Sequence, residues 1–156
     1  MNNLPEPNIF KAYDIRGVVG VTLTIETVEK IGKALGSYAL IKKQKKICVG
    51  YDGRLSSPNL SNVLIAGLLS TGIEVVDIGL VTTPMLYFST HLLETYTGVM
   101  ITGSHNPPEY NGLKMMVDGI TLSPDEIQLL YQRIIEKDFH SGMGELYHQD
   151  IKDDYL

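Results

Sequence analysis

The sequence predicts an α/β fold, a three-layer α/β/α sandwich around a mainly parallel, mixed sheet. Helical and strand patterns alternate along the chain, and segments 47–51 and 98–101 are short apolar runs without polar alternation. Such runs are typical of strands buried on both faces of a parallel sheet, and their alternation with helices indicates crossover connections. With 156 residues, the chain is large enough for one domain with its own core.

Four helices are predicted from apolar residues at helical intervals and from capping residues. They span about residues 24–42, 57–72, 83–93 and from 123 onward. Thr24 is the expected N-cap of the first helix, and Ser57 and Thr83, each followed by proline, are expected to begin the second and third. Ser123 is expected to begin the fourth in a capping box with Glu126.

Two further segments complete the predicted sheet. One strand lies at about residues 74–78, and a strand at 112–117 is followed by an Asp118-Gly119 turn and a returning strand, so a hairpin is expected to end the sheet. Beyond Glu136 the pattern weakens, and no cap or core role is expected for residues 152–156. The predicted domain covers residues 1–150, and residues 151–156 are expected to begin a linker to a second domain.

Composition and charge argue against several classes of protein. The formal net charge is −5, whereas nucleic-acid binding needs a basic face, so nucleic acid is not expected as a partner. Apolar residues make up 44% of the chain and charged residues 20%, which indicates neither disorder nor a membrane span. The amino terminus lacks the basic start and apolar core of a secretory signal, so a cytoplasmic location is expected.

The run Thr-Gly-Ser-His-Asn-Pro-Pro at residues 102–108, hereafter the Ser104 loop, follows the apolar strand 98–101. Gly103 is expected to take backbone angles closed to other residues, and the Asn-Pro-Pro segment fixes the end of the turn. Ser104 is therefore predicted to present its hydroxyl group to solvent.

Polar segments follow several predicted strands, and sites in such sheets form at the carboxyl ends of the strands. Residues 52–54 and 102–111 lie at such ends, and so does the segment 13–17 if the chain enters the sheet around Phe10. These segments are expected to converge.

Residue chemistry alone leaves the role of Ser104 open, because a serine in a Gly, Asn and Pro turn is more often structural than reactive. His105, Lys114 and Arg16 favour a site for an oxyanion or a phosphate over one for an acyl group. A Ser-His-Asp hydrolase is disfavoured, because no Gly-x-Ser-x-Gly elbow occurs and adjacent residues rarely align a hydroxyl with an imidazole. The four histidines lack metal-site spacing, and no Walker loop or dinucleotide fingerprint is present.

Three segments, 9–17, 49–54 and 98–114, resemble the first domain of the α-D-phosphohexomutases, and most closely its bacterial phosphomannomutase/phosphoglucomutase type. The resemblance covers nearly the whole chain in the family's order. Phosphoglucosamine mutases usually have Ala-Ser-His-Asn-Pro in this loop, so Gly103 and the following Pro-Glu-Tyr-Asn-Gly favour the hexose enzymes.

The resemblance implies a role for each candidate residue. Ser104 matches the phosphoserine, whose phosphate oxygen would bind Mg²⁺ together with three aspartates of another domain. Lys114 matches a lysine proposed to shuttle a proton, and His105 matches a histidine that assists nearby. Arg16 and Tyr13 match residues lining the phosphoserine pocket, although a packing aromatic is an equal alternative for Tyr13. Residues 52 and 54 are interpreted as supports of the site, more than as direct contacts.

The resemblance also implies a reaction, the interconversion of hexose 1-phosphate and hexose 6-phosphate through a bisphosphate. The family's aspartate-rich metal loop, sugar-discriminating loop and phosphate-binding loop belong to domains two to four and do not occur in this sequence. The chain is therefore expected to be inactive alone, with a phosphosugar and the missing domains as partners, and the choice between mannose and glucose stays open. The alternative is a stand-alone domain that binds phosphosugars or proteins without catalysis.

Overall fold

A computed structural model describes residues 4–151, and within that range a seven-stranded sheet lies between layers of helices. The strands are β1 (Ile15–Val18), β2 (Lys46–Tyr51), β3 (Glu74–Leu80), β4 (Gly98–Ile101), β5 (Tyr110–Val117), β6 (Ile120–Thr121) and β7 (Leu146–His148). Their order is β1-β5-β4-β2-β3-β7, with β6 beside β5. Of these strands only β5 runs against the others. The predicted mainly parallel, mixed sheet is confirmed.

The four predicted helices are present as α1 (Ile25–Ile41), α2 (Ser57–Leu69), α3 (Thr83–Leu92) and α4 (Pro124–Glu136), after a short 3₁₀ helix at Pro7–Ile9. The Thr24 cap is confirmed, because its hydroxyl accepts from the Thr27 N–H. Helices α2 and α3 begin at Ser57 and Thr83, as predicted. Ser56 precedes α2 and makes no side-chain cap bond, Ser57 donates to Asp52, and Thr82 caps α3.

Alternate strand residues supply two separate cores. Ile47, Val49 and Ile101 face the larger core, together with α1, α2 and α4. Cys48 and Met100 face the smaller core on the opposite side, which α3 covers. This alternation confirms the three-layer arrangement, because each apolar strand is buried on both faces.

Two expectations about the ends of the sheet are wrong. The segment 13–17 does not follow a strand, because Ile15 begins β1 and Phe10 forms only an isolated bridge to it. The hairpin does not end the sheet, since β7 pairs with β3 at the opposite edge. Ile151, the last described residue, is fully buried in the smaller core. The 150/151 boundary stays a prediction, and residues 152–156 of the proposed linker lie outside the described residues.

None of the helices in the described part of the chain is long and apolar enough to cross a membrane. The cytoplasmic location stays a prediction.

Helices α1 and α2 pack in backbone contact at two glycines. A Cβ at Gly32 would lie 2.5 Å from the carbonyl oxygen of Leu64, and one at Gly67 would lie 2.2 Å from that of Glu29. Real Cβ atoms do not approach so closely, so both positions require glycine at this helix spacing.

Helix α4 is fastened to α1 through one carboxylate. Glu126 completes the predicted capping box by accepting from the Ser123 N–H at 2.9 Å, and its other oxygen accepts from the Tyr38 hydroxyl of α1. Burial alone would raise the pKa of Glu126, but the hydrogen bonds from Tyr38 and Ser123 outweigh it and hold that pKa below its usual value. The same contact and burial raise the pKa of Tyr38.

Gly67→Ala should destabilise the fold. Alanine gains about 1 kcal/mol over glycine in a helix, but overpacking costs about 1–3 kcal/mol, and here the obstacle is backbone. We expect the free energy of unfolding to fall by about 1–2 kcal/mol in urea denaturation. Gly53→Ala is the control, because no atom lies within 4 Å of a Cβ there. Equal losses for both variants would contradict the close contact.

Glu126→Gln should weaken the fold at neutral pH but not in acid. Because its folded-state pKa is depressed, the ionised carboxylate stabilises the fold above the unfolded pKa of about 4.3, and this stabilisation is lost as the pH falls through the folded value. We expect a loss of about 1 kcal/mol at neutral pH that shrinks below a pH of about 4. Exposed Glu136→Gln on the same helix is the control. A pH-independent difference for Glu126→Gln would contradict the linkage.

Candidate functional site

Strand β5 sets the position of the site, because it pairs with β4 on one side and β1 on the other. Leu113 lies opposite both Ile101, the last residue of β4, and Ile15, the first residue of β1. Strand β1 therefore extends beyond the carboxyl end of β4. This register places Arg16 beside the point where the Ser104 loop leaves the sheet.

One cleft of about 540 Å³, hereafter the serine cleft, contains all five predicted site residues. It is lined by Lys11, Ala12, Tyr13, Asp14, Arg16, Tyr87, Ser104, His105, Asn106, Lys114 and Thr121. Ser104, His105 and Tyr13 are exposed to solvent, whereas Arg16 and Lys114 are half-buried. Segments 13–17 and 102–111 converge here as expected, whereas residues 52–54 do not line this cleft. The catalytic roles stay predictions.

The strained residue of the loop is Ser104 and not Gly103. Ser104 has φ 52°, in the left-handed region that residues with a Cβ seldom occupy, whereas Gly103 is absent from the positive-φ glycines. The expectation that Gly103 supplies the unusual backbone angle is therefore wrong. Gly103 is needed for space, because a Cβ there would lie 2.0 Å from Cζ of Arg54.

The turn is closed by Asn106. Both its backbone N–H and its side-chain amide donate to the carbonyl oxygen of Gly103 at 3.0 Å. The Ser104 N–H donates to the hydroxyl of Thr102 at 3.0 Å. Asn106 also accepts from Arg16 Nη1 at 3.5 Å, so it links the turn to a cation of the serine cleft.

Arg54 binds the loop from the side opposite the serine cleft. Its Nη1 donates to the carbonyl oxygens of Pro107 at 2.7 Å and Tyr110 at 3.0 Å, and its Nη2 donates to those of Asn106 at 2.6 Å and Ser104 at 3.1 Å. One guanidinium therefore holds four carbonyl groups. The interpretation of Arg54 as a support agrees with these contacts.

Asp52 fastens the start of the same loop. Its carboxylate accepts from the Gly103 N–H at 3.0 Å, the Ser57 hydroxyl at 2.6 Å and the Arg54 N–H at 3.1 Å. Burial would raise the pKa of Asp52, but these hydrogen bonds outweigh it and lower that pKa below its usual range. Asn111, fully buried, donates to Ser57 at 3.0 Å and so ties the network to the start of β5.

The charges that line the serine cleft favour an anion. Lys11, Arg16 and Lys114 line it with a single carboxylate, that of Asp14. Asp14 Oδ2 lies 3.3 Å from Arg16 Nε, so this acidic group is already paired. Within residues 4–151, Lys11 and Lys114 form no ion pair, and cationic side chains on a concave surface attract phosphate or carboxylate ligands.

Six residues that line the cleft were not predicted as site residues. They are Lys11, Ala12, Asp14, Tyr87, Asn106 and Thr121, of which Asn106 was predicted only to fix the turn. Lys11 and Asn106 lie inside the segments that carry the family resemblance, which could have indicated them. Tyr87 comes from α3, and burial raises its pKa. No local pattern indicates that this helix residue faces the cleft.

Metal ligands do not cluster in the described part of the chain. Nowhere in residues 4–151 do three or more His, Cys, Asp or Glu side chains come together in a way that could hold an ion. Asp52 and Asp14 are engaged with Arg54 and Arg16.

The comparisons with known proteins agree on one family. The family model described as phosphoglucomutase/phosphomannomutase, alpha/beta/alpha domain I, matches residues 7–141. A phosphomannomutase/phosphoglucomutase of Pseudomonas aeruginosa is 51% identical over 149 residues, which are 96% of this chain and 32% of that protein. A phosphoglucomutase of Neisseria gonorrhoeae is 53% identical over 151 residues, 95% of this chain and 33% of that protein.

Solved structures show the same fold. A phosphoglucomutase/phosphomannomutase family protein of Burkholderia thailandensis superposes with a TM-score of 0.93 at 41% identity, covering 97% of this chain and 35% of that one. A phosphomannomutase of Thermus thermophilus, described as putative, superposes with a TM-score of 0.82 at 28% identity, over 94% and 34%. The chain spans about a third of the length of these relatives. It belongs to the phosphoglucomutase/phosphomannomutase family, whose α/β/α domain I it matches.

Proposed function

We propose that this chain is the phosphoserine-bearing domain of a phosphohexomutase that interconverts hexose 1-phosphate and hexose 6-phosphate. The observation that carries the proposal is the exposed Ser104, held in a left-handed conformation at a cleft lined by Arg16, Lys11 and Lys114. A hydroxyl on a fixed loop beside cations suits a group that carries and donates a phosphoryl group.

Phosphoryl transfer would proceed in two balanced steps. The 6-hydroxyl of hexose 1-phosphate attacks the phosphorus on Ser104, a new O–P bond forms at the sugar, and the bond to Oγ of Ser104 breaks. The 1,6-bisphosphate then turns round, and Oγ of Ser104 takes the phosphoryl group from position 1, leaving hexose 6-phosphate. Lys114 is the proposed carrier of the proton, which leaves the attacking hydroxyl and passes to the oxygen whose bond to phosphorus breaks, and His105 is the proposed assistant.

The cationic side chains of the serine cleft would hold the phosphoserine. Phosphorylation adds a charge of about −1.5 to −2 at neutral pH. Arg16 is oriented by Asn106 and Asp14, so its guanidinium is fixed before the phosphate forms. Tyr13 is exposed at the same cleft, where its ring would limit the orientations of the sugar. These groups position the phosphoryl group without reacting themselves.

Mg²⁺ is the proposed metal, with Ser104 contributing one phosphate oxygen as its ligand. When bound, the ion would neutralise charge on the transferring group. The carboxylate of this cleft, that of Asp14, is engaged with Arg16, so the remaining ligands would come from further domains. Such domains, and the phosphosugar, are the proposed partners.

The 156-residue chain alone should not interconvert the phosphosugars, because it would supply the nucleophile and cations but not the rest of the cleft. We expect no turnover of mannose 1-phosphate or glucose 1-phosphate with glucose 1,6-bisphosphate and Mg²⁺ in a coupled assay. Steady turnover by this chain would contradict the proposed division of the active site.

A chimera tests the reaction itself. In it, this chain replaces the matching third of the Pseudomonas aeruginosa relative. We expect the chimera to turn over and to carry phosphate on Ser104 after exposure to glucose 1,6-bisphosphate, as mapped by mass spectrometry. Ser104→Ala should abolish the label and lower kcat by about 1,000-fold or more.

Exposed Ser141→Ala is the matched control and should keep both the label and the turnover. A label on a residue other than Ser104 would refute the assignment. A chimera that folds and binds phosphosugar, yet neither turns over nor takes up label, would instead support a binding domain without catalysis.

A further inference from the structure

We propose that Arg54 is a positioning residue for phosphoryl transfer, which fixes the left-handed backbone of Ser104 and the orientation of Arg16 from behind the loop. The inference rests on the proposed function and assigns a role to a residue outside the serine cleft.

Arg54 does not touch the serine cleft. It lines a separate cleft of about 640 Å³ with Val19, Asp52, Gly53, Leu55, Ser56, Asn106 and Pro108. Its guanidinium therefore acts on the backbone of the Ser104 loop, and a phosphate on the Ser104 side chain would lie in the other cleft. An effect of Arg54 on the reaction would pass through the position of the loop.

The contacts of Arg54 span the whole turn. Two N–H donors bind the carbonyl groups of Ser104 and Asn106, and two bind those of Pro107 and Tyr110, where the chain enters β5. A planar fork with several donors suits this pattern, whereas an ammonium group is a point charge. The role is therefore specific to arginine.

The bond to the carbonyl oxygen of Ser104, at 3.1 Å, bears directly on the conformation of the nucleophile. A return of Ser104 from φ 52° to the usual negative range would rotate its peptide groups and swing Oγ relative to Arg16 and Lys114. The guanidinium opposes that return, because the rotation would break its bonds to the loop.

The same guanidinium acts on Arg16 through Asn106. Arg54 holds the Asn106 carbonyl at 2.6 Å, and the Asn106 side chain accepts from Arg16 at 3.5 Å. The nucleophile and the cation that would bind its phosphate are therefore positioned by one side chain.

Arg54 itself has little freedom. Its side chain is 17% exposed, its Nε lies 3.6 Å from Asp52 Oδ2, and it packs against the Cα of Gly103. The negative charge of Asp52 compensates the positive charge of Arg54. Arg54 would therefore affect catalysis through the geometry of the Ser104 loop more than through its net charge.

The test compares Arg54→Lys and Arg54→Ala in the chimera. A misplacement of about 1 Å can cost about 100-fold in rate. We expect kcat to fall by about 100-fold in both variants while KM changes by less than about threefold. Free guanidinium at millimolar concentration should restore part of kcat in Arg54→Ala, and ammonium should not. Arg133→Lys is the matched control, because Arg133 also pairs with a carboxylate and a carbonyl group, but at the end of α4.

Amide hydrogen exchange of the 156-residue chain supplies a readout independent of activity. Arg54→Lys should accelerate exchange at Asn106 and Tyr110, whose N–H groups close the loop, without a matching change in α1. Unchanged kcat in Arg54→Lys, or slow exchange of those amides as in the wild type, would overturn the inference. An inactive wild-type chimera without label on Ser104 would count against the proposed function. Amide hydrogen exchange in the Ser104 loop would still test whether Arg54 positions that loop.

Discussion

The double pairing of β5 is the interaction on which the site depends. Among the described strands, β5 alone is antiparallel to β4 in direction. It therefore begins at the carboxyl edge of the sheet, where β4 ends and the Ser104 loop returns to the sheet. It carries Lys114 back across that edge and holds β1 on its other side, so Arg16 lies beyond the end of β4. A register shift of one residue would move both cations away from Ser104 or to the other face of the sheet. The backbone hydrogen bonds along β5 therefore fix the position of the cleft independently of side-chain contacts.

The Ser104 loop has two sides with separate tasks. One side faces the serine cleft with cations and an exposed hydroxyl, and the other side is bound by Arg54 and Asp52. A left-handed serine is costly and persists only where the surroundings hold it. Here Arg54 and Asp52 bind backbone atoms of the loop, so these contacts do not engage the Ser104 side chain. This separation allows the loop to be rigid while its reactive atom stays accessible.

Much of the fold was predictable because its signals are local. The Thr24 cap, the capping box of Ser123 and the apolar strands each depend on a few neighbouring residues. Strand β7 was not predictable, because its three residues are exposed and show no apolar pattern. It also depends on the close approach of Gly144 to the backbone of Ile73, and these two residues lie far apart in the sequence. Ser104 and His105 followed from the carboxyl-edge rule, whereas Lys114, Arg16 and Tyr13 followed from residue chemistry and the family resemblance. The four carbonyl groups that accept from Arg54 could not be predicted, because every residue carries a backbone carbonyl and the sequence does not mark which ones a side chain will bind.

Arg54 also removes an electrostatic conflict that Asp52 would create. The Asp52 carboxylate fastens Gly103, the residue next to Ser104, and its lowered pKa keeps it ionised at neutral pH. Charges of like sign repel, so an uncompensated carboxylate would oppose a phosphate on the adjacent serine. Arg54, 3.6 Å away, cancels that charge while binding the loop. In the proposed reaction, a compensated carboxylate therefore holds the loop, and the attraction between the cations of the serine cleft and the phosphoryl group is kept.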